Sequence, residues 1–396
     1  MIKPTPGQLA WQEAELGIFC HFGINTFYGQ EWSDGSLDPA GFNPTRLDAR
    51  QWVETAQAAG ARYLIFTAKH HDGFCLWPTE TTDYSVAWSP YKGGRGDVVG
   101  EVAQACREAG LPLGLYLSPW DRHEPCYADA EAYDRFYVRQ LTELCTRYGP
   151  LFEIWFDGAG SEGRVYNWEM IMAVVDRYQA QAMVFNMGRR TIRWVGNEDG
   201  LAADPNYYVV AGEGTEGRYL PPECDVAIRR NWFWQPDDLH TLKSVEHLLG
   251  IYYRSVGLGG NLLLNVPPNR EGLISTEDRT RLLEMTAARR RRFAAPIPAR
   301  LSQQGAVVWA DFGAEVAFDH LILSEDLVDG QQIDGHRVFA PEICVAEGVT
   351  VGHKRIHVFP TVRAARVRIE LNTEQARLAR VTACKTGYEA LPRLGP

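Results

Sequence analysis

The sequence predicts an α/β protein: a TIM-type, (β/α)8-like barrel followed by a small C-terminal antiparallel β-sandwich. Three observations carry that expectation. Short apolar runs alternate with longer amphipathic segments from the N-terminus to about Phe293, polar residues gather directly after the apolar runs, and the alternation stops at an arginine-rich, Ala/Pro-rich stretch. Repeated strand–helix units over such a length are the pattern of a barrel, whose chemistry lies at the C-terminal ends of its strands.

The apolar runs are LGIFCHFG (16–23), ARYLIFTAKHHDG (61–73), LPLGLYLSPWD (111–121), LFEIWFDG (151–158), AMVFN (182–186) and GNLLLNVPP (260–268). Each has the length and apolar density of a strand covered on both faces, as parallel strands are. Between them lie helical patterns such as ARQWVETAQAAG and DVVGEVAQACREAG, which close with a glycine as helix C-termini often do. A doubly wound sheet is the main rival, but no GxGxxG follows the first strand. The polar residues after the runs are His21, the Lys69-His70-His71-Asp72 turn, Trp120-Asp121 and Asp157.

The predicted catalytic barrel spans residues 1–293. ARRRRFAAPIPA (288–299) reads as a solvated helix end, favoured by the helix dipole, plus a linker. The predicted β-sandwich spans 300–396, with runs such as GAVVWADFG, HLILSEDL and ARVRIELN, and it contains no evident catalytic constellation.

Composition narrows the function classes. The 396 residues carry a net charge of −10. An acidic chain gains nothing from the counterion release that drives nucleic-acid binding, or from an anionic membrane surface, so neither is an expected partner. MIKPTPGQLAW lacks a signal-peptide pattern and no run is long enough to span a bilayer, so the chain is expected to be cytoplasmic. The eight cysteines are scattered without a CxxC pair, which argues against a disulfide framework.

Among residues that could carry chemistry, Asp157 in EIWFDG stands out: a carboxylate at the end of a bulky apolar strand is held rigidly at the barrel mouth. An Asx-turn or helix cap would explain it equally well. His70 and His71 are adjacent on a strand end and point different ways, which suits bonds to sugar hydroxyls better than shared chelation. No HExxH or comparable ligand set accompanies them. His21 ends the first strand in the same manner. In GQEWSDG, Glu31 beside Trp32 pairs a hydroxyl acceptor with a stacking face. A second carboxyl could come from Glu198 in RWVGNEDG, where Trp194 would form a pocket wall, or from Glu213, Glu216 or Glu223 in AGEGTEGRYLPPECD.

In order along the chain, CHFG, EWSDG, KHHDGF, DYS, LGLYLSPWD, EIWFDG and GLGGNLLLNVPPNREG resemble glycoside hydrolase family 29, the α-L-fucosidases, from about Leu16 to Arg279. The resemblance implies a retaining glycosidase without metal or organic cofactor, acting on a fucosylated oligosaccharide or glycoconjugate. It implies Asp157 as nucleophile, with His21, Glu31, Trp32, His70, His71, Tyr116 and Trp155 around the fucose. The acid/base position differs between branches of the family. RWVGNEDG is similar to the branch selective for α-1,3/1,4-linked fucose and points to Glu198. The other branch keeps Glu223 as the alternative, near NWFW (231–234). The two carboxyls of a retaining pair are expected about 5–5.5 Å apart. A fucose-binding barrel that has lost catalysis and a metal-dependent hydrolase using His70, His71 and Asp157 are the rival classes.

Overall fold

The computed structural model describes residues 2–212 and 217–395. Eight parallel strands form the barrel: β1 (Leu16–Cys20), β2 (Tyr63–Lys69), β3 (Leu113–Leu117), β4 (Glu153–Trp155), β5 (Met183–Phe185), β6 (Arg193–Trp194), β7 (Pro222–Ala227) and β8 (Asn261–Asn265). They are hydrogen-bonded in the order β5-β4-β3-β2-β1-β8-β7-β6. A parallel bridge between Phe185 and Ile192 joins the two ends, so the ring runs in chain order and is nearly closed.

The helices are α1 (Pro6–Ala14), α2 (Ile24–Tyr28), α3 (Ala49–Ala58), α4 (Val98–Ala109), α5 (Ala130–Arg147), α6 (Trp168–Tyr178), α7 (Val245–Arg254) and α8 (Thr276–Arg292). The six outer helices α3 to α8 each start on a side-chain cap: Asp48, Asp97, Asp129, Asn167, Ser244 and Ser275. A side-chain oxygen there satisfies backbone N–H groups that the helix itself leaves open. Among the described residues no helix separates β5 from β6 or β6 from β7, so the barrel departs from full (β/α)8 symmetry on that side. The rim there is built by irregular chain, which includes Glu198.

Strand alternation sorts the core into two. Ile18, Leu64 and Phe66 face outward into the layer shared with the helices. Phe19, Tyr63, Ile65, Tyr116, Trp155, Phe185 and Leu263 fill the barrel interior. Trp11 of α1 plugs the bottom of that interior. Its indole donates to Glu153 Oε2 at 2.9 Å, and Asn261 Nδ2 donates to its carbonyl at 2.7 Å.

The C-terminal domain contains β9 (Ile297–Pro298), β10 (Arg300–Gln304), β11 (Val307–Glu325), β12 (Asp334–Phe339), β13 (Cys344–Thr350), β14 (Arg355–Leu371) and β15 (Leu378–Cys384). The strands form one antiparallel hydrogen-bonded sheet around its own apolar core. The long β11 carries register shifts near Asp311/Val316 and Phe318/His320, where bulges bend it. The domain is tied to the barrel by polar bonds. Tyr253 of α7 meets His320 Nε2 at 2.8 Å, and Arg355 grips Asp204 with two bonds at 2.8 and 2.9 Å. No helix among the described residues is long and apolar enough to cross a membrane.

Candidate active site

A cavity of about 410 Å³ opens at the C-terminal mouth of the barrel, within the size range of small-molecule sites. His21 follows β1, His70 and His71 follow β2, and Asp157 follows β4; Trp194 ends β6, and Glu198 lies in the loop beyond it. All six line the cavity, together with Trp32 and Trp155.

Asp157 is held at both oxygens. The Tyr116 hydroxyl donates to Oδ2 at 3.0 Å, and the Ala159 N–H donates to Oδ1 at 2.9 Å. Burial pushes its carboxyl up from the ordinary aspartate range, and these two donors work against that push. Tyr116 itself is driven far above the usual phenol range, by burial first and by Asp157 second, so it stays a donor. The loop after Asp157 tucks under Trp120 at Gly160, whose φ is +69°. A Cβ there would lie 1.9 Å from the indole, so only glycine fits.

The histidines are neutral acceptors. His71 Nδ1 lies 2.7 Å from Ser118 Oγ, and that hydroxyl gives its one proton to the Trp120 carbonyl at 2.6 Å. The histidine must therefore donate from Nδ1, which leaves an unprotonated Nε2 in the cavity, 3.6 Å from Asp157 Oδ2. His21 repeats the device. Asn265 Nδ2 donates to the Trp232 carbonyl at 2.8 Å, so Asn265 Oδ1 accepts from His21 Nδ1 at 3.1 Å. Burial above all lowers His21 and His71 to about 3, and it drives His70 well below the usual imidazole range. Two lone pairs beside a carboxylate call for a ligand rich in hydroxyl donors.

Tyr116, Trp155 and Phe185 form a stack along the barrel interior, with centroids 5.3 Å apart in the first pair and 3.8 Å in the second. Glu223 lies in that interior, fully buried and outside the cavity lining. It accepts from the Tyr63 hydroxyl at 2.6 Å and from Trp155 Nε1 at 2.9 Å. Burial, followed by the neighbouring Glu223, holds Glu153 far above the usual carboxylate range, so the pair retains a proton. Glu223, the alternative for the acid/base, is thus bonded into the floor and does not line the cavity. Glu223→Gln is expected to keep kcat/KM within about threefold, whereas Glu223→Ala strips partners from buried donors and is expected to cost about 2 kcal/mol. Denaturant melts and initial rates on both variants check this. Glu213 and Glu216 lie outside the described residues.

Glu31 also sits differently from its expected role. Its carboxylate accepts from the backbone N–H of Trp232 at 2.6 Å and of Phe233 at 3.2 Å, and it does not line the cavity. Burial raises it to about 7 even so. Several wall residues lie outside the strand-end pattern. Asp225 lines the cavity, accepts from Trp194 Nε1 at 2.8 Å, and is driven far upward by burial. Strand alternation could have found it, since Asp225 shares the inward face with Glu223. Trp232 and Asn186 line the cavity as well. Asn186 adopts a φ of +63°, a conformation uncommon outside glycine that recurs at functional sites. Among the described residues no three His, Cys, Asp or Glu side chains converge as a metal-ligand set.

Asp157, Glu198 and Asp225 share this barrel mouth with neutral imidazole acceptors and indole walls, a lining that suits a carbohydrate-active hydrolase. The chain belongs to the α-L-fucosidase family of glycoside hydrolases, family 29: the family model described as alpha-L-fucosidase matches residues 37–288. Alpha-L-fucosidase 1 of Arabidopsis thaliana is 45% identical over 294 residues, covering 69% of this chain and 58% of that protein. A rice relative is 39% identical over 94% of this chain and 83% of its own length. The structure of a family 29 fucosidase of Ruminococcus gnavus in complex with fucose superposes with a TM-score of 0.87 at 29% identity, over 99% of this chain and 96% of that one.

Proposed function

We propose that the protein is a retaining α-L-fucosidase that removes terminal L-fucose from α-1,3/1,4-fucosylated, Lewis-type oligosaccharides and glycoconjugates. The observation that carries this reading is the pairing of Asp157, fixed by Tyr116 and Ala159, with Glu198 in one cavity. Asp157 attacks the anomeric carbon, and the glycosidic bond breaks as a fucosyl ester forms on its carboxylate. Glu198 passes its proton to the departing oxygen, then takes a proton from the water that cleaves the ester. His21 and His71 accept from fucose hydroxyls through Nε2, and Trp32, Trp155 and Trp194 cover its apolar faces. The preference for α-1,3/1,4 linkages rests on the placement of the acid/base in RWVGNEDG.

Release of fucose from a Lewis-type trisaccharide and from an aryl α-L-fucoside with a good leaving group tests the reading. Glu198→Ala is expected to lose about 10²–10⁴-fold on the trisaccharide and far less on the aryl substrate, which needs little protonation. Equal rates for Glu198→Ala and wild type on the trisaccharide would remove Glu198 from the mechanism. A wild type that binds fucose but turns over neither substrate would favour a fucose-binding barrel.

A further inference from the structure

Trp232, in the NWFW segment (231–234), stands against the carboxyl of Glu198. It lies in the loop after β7 and touches the site in three ways. Its backbone N–H is gripped by Glu31 Oε1 at 2.6 Å, its carbonyl by Asn265 Nδ2 at 2.8 Å, and its indole Nε1 donates to Glu198 Oε2 at 3.2 Å. Its ring packs 5.2 Å from His21. The loop itself is pinned from below. Arg229 is buried and bonds Asp238 at 2.6 Å and Asp278 of α8 at 2.8 Å, and Asn231 Nδ2 donates to Asp238 Oδ2 at 3.4 Å.

Glu198 has no comparable support on its own segment. It sits on irregular chain beyond the two-residue strand β6, where a carboxyl would sample many rotamers. General acid catalysis demands that the proton lie within hydrogen-bond reach of the leaving oxygen. A single donor mounted on a rigid loop orders one oxygen of the carboxyl and leaves the other toward the ligand. Resting on the reading of Glu198 as acid/base, we propose that Trp232 is its positioning residue. In this arrangement Glu31 acts on the leaving-group side of the reaction by fixing the Trp232 backbone.

Trp232→Phe keeps the ring and removes the N–H. The experiment compares kcat/KM for a Lewis-type trisaccharide and for an aryl α-L-fucoside with a good leaving group, alongside Glu198→Ala and Glu31→Gln, with thermal melts on each. Trp232→Phe is expected to lose about 10-fold or more on the trisaccharide and distinctly less on the aryl substrate, whose leaving group needs little protonation. The loss on the trisaccharide is expected in kcat, with KM within about threefold of wild type. Glu31→Gln is expected to reproduce the substrate split more weakly. An equal loss on both substrates, or none on either, overturns the proposal. If Glu198→Ala shows the split and Trp232→Phe does not, the positioning role alone falls. If Glu198→Ala shows no split, the acid/base assignment falls and this inference falls with it.

Discussion

Asp157→Ala is expected to lower kcat on an aryl α-L-fucoside by about four orders of magnitude or more, the scale of losses when a catalytic nucleophile is removed, while the protein stays folded. The side chain is 25% exposed, at the cavity, and its deletion leaves only the Tyr116 hydroxyl and the Ala159 N–H without their acceptor, both within reach of entering water. The loss is therefore chemical. Azide, which fits the space left by the carboxylate, is expected to restore part of the turnover and to yield a fucosyl azide of inverted configuration. Residual activity within tenfold of wild type would place the nucleophile elsewhere.

The largest stability effect is expected at Asp121. Lys69, the last residue of β2, is fully buried, and its ammonium bonds Asp121 Oδ2 at 2.8 Å. The Tyr133, Phe136 and Tyr137 rings surround it at 5.5–5.8 Å, and the Tyr133 hydroxyl adds a longer contact at 3.4 Å. Asp121 Oδ1 also accepts the His123 and Glu124 N–H groups at 3.0 and 2.9 Å. Asp121→Ala strands a buried ammonium and two N–H groups, and removing one partner of a buried pair costs about 3–5 kcal/mol. Lys69→Met is expected to cost less, because the Asp121 carboxylate keeps its two backbone donors. The pair also frames the site: Lys69 precedes the two histidines, and Arg122 N–H donates to the His71 carbonyl at 2.9 Å. Denaturant unfolding at constant m-value measures both variants. A loss below about 1 kcal/mol for Asp121→Ala would show that the pair behaves as though solvated.

Much of this arrangement is legible in the amino-acid sequence itself. Strands such as EIWFDG and ARYLIFTAKHHDG are apolar on both faces because helices cover one side and the barrel core the other, so run length and density suffice to find them. Asp157, His21, His70 and His71 follow from standing where those runs end. What escapes is of three kinds. β6 has two residues and no flanking helix among the described residues, so periodicity has nothing to act on, although Glu198 depends on it. Glu31 looks like an exposed loop carboxylate, but its two oxygens reach backbone donors 201 and 202 residues away, a separation no local pattern encodes. Asn265 and Asp225 sit inside apolar strands, where they read as tolerated polar residues. Asn265 sets the tautomer of His21, and Asp225 anchors Trp194.

The most direct measurement is covalent trapping with a 2-deoxy-2-fluoro-fucosyl fluoride, followed by intact mass and peptide mapping. The fluorine at C2 slows breakdown of a glycosyl ester more than it slows departure of fluoride, so the intermediate accumulates. One fluorofucosyl group per chain is expected, on the peptide bearing Asp157, with loss of activity in proportion and no label on Asp157→Ala. A label on another carboxylate would move the nucleophile away from Asp157, and release of the inverted sugar anomer without any adduct would rule out a covalent intermediate.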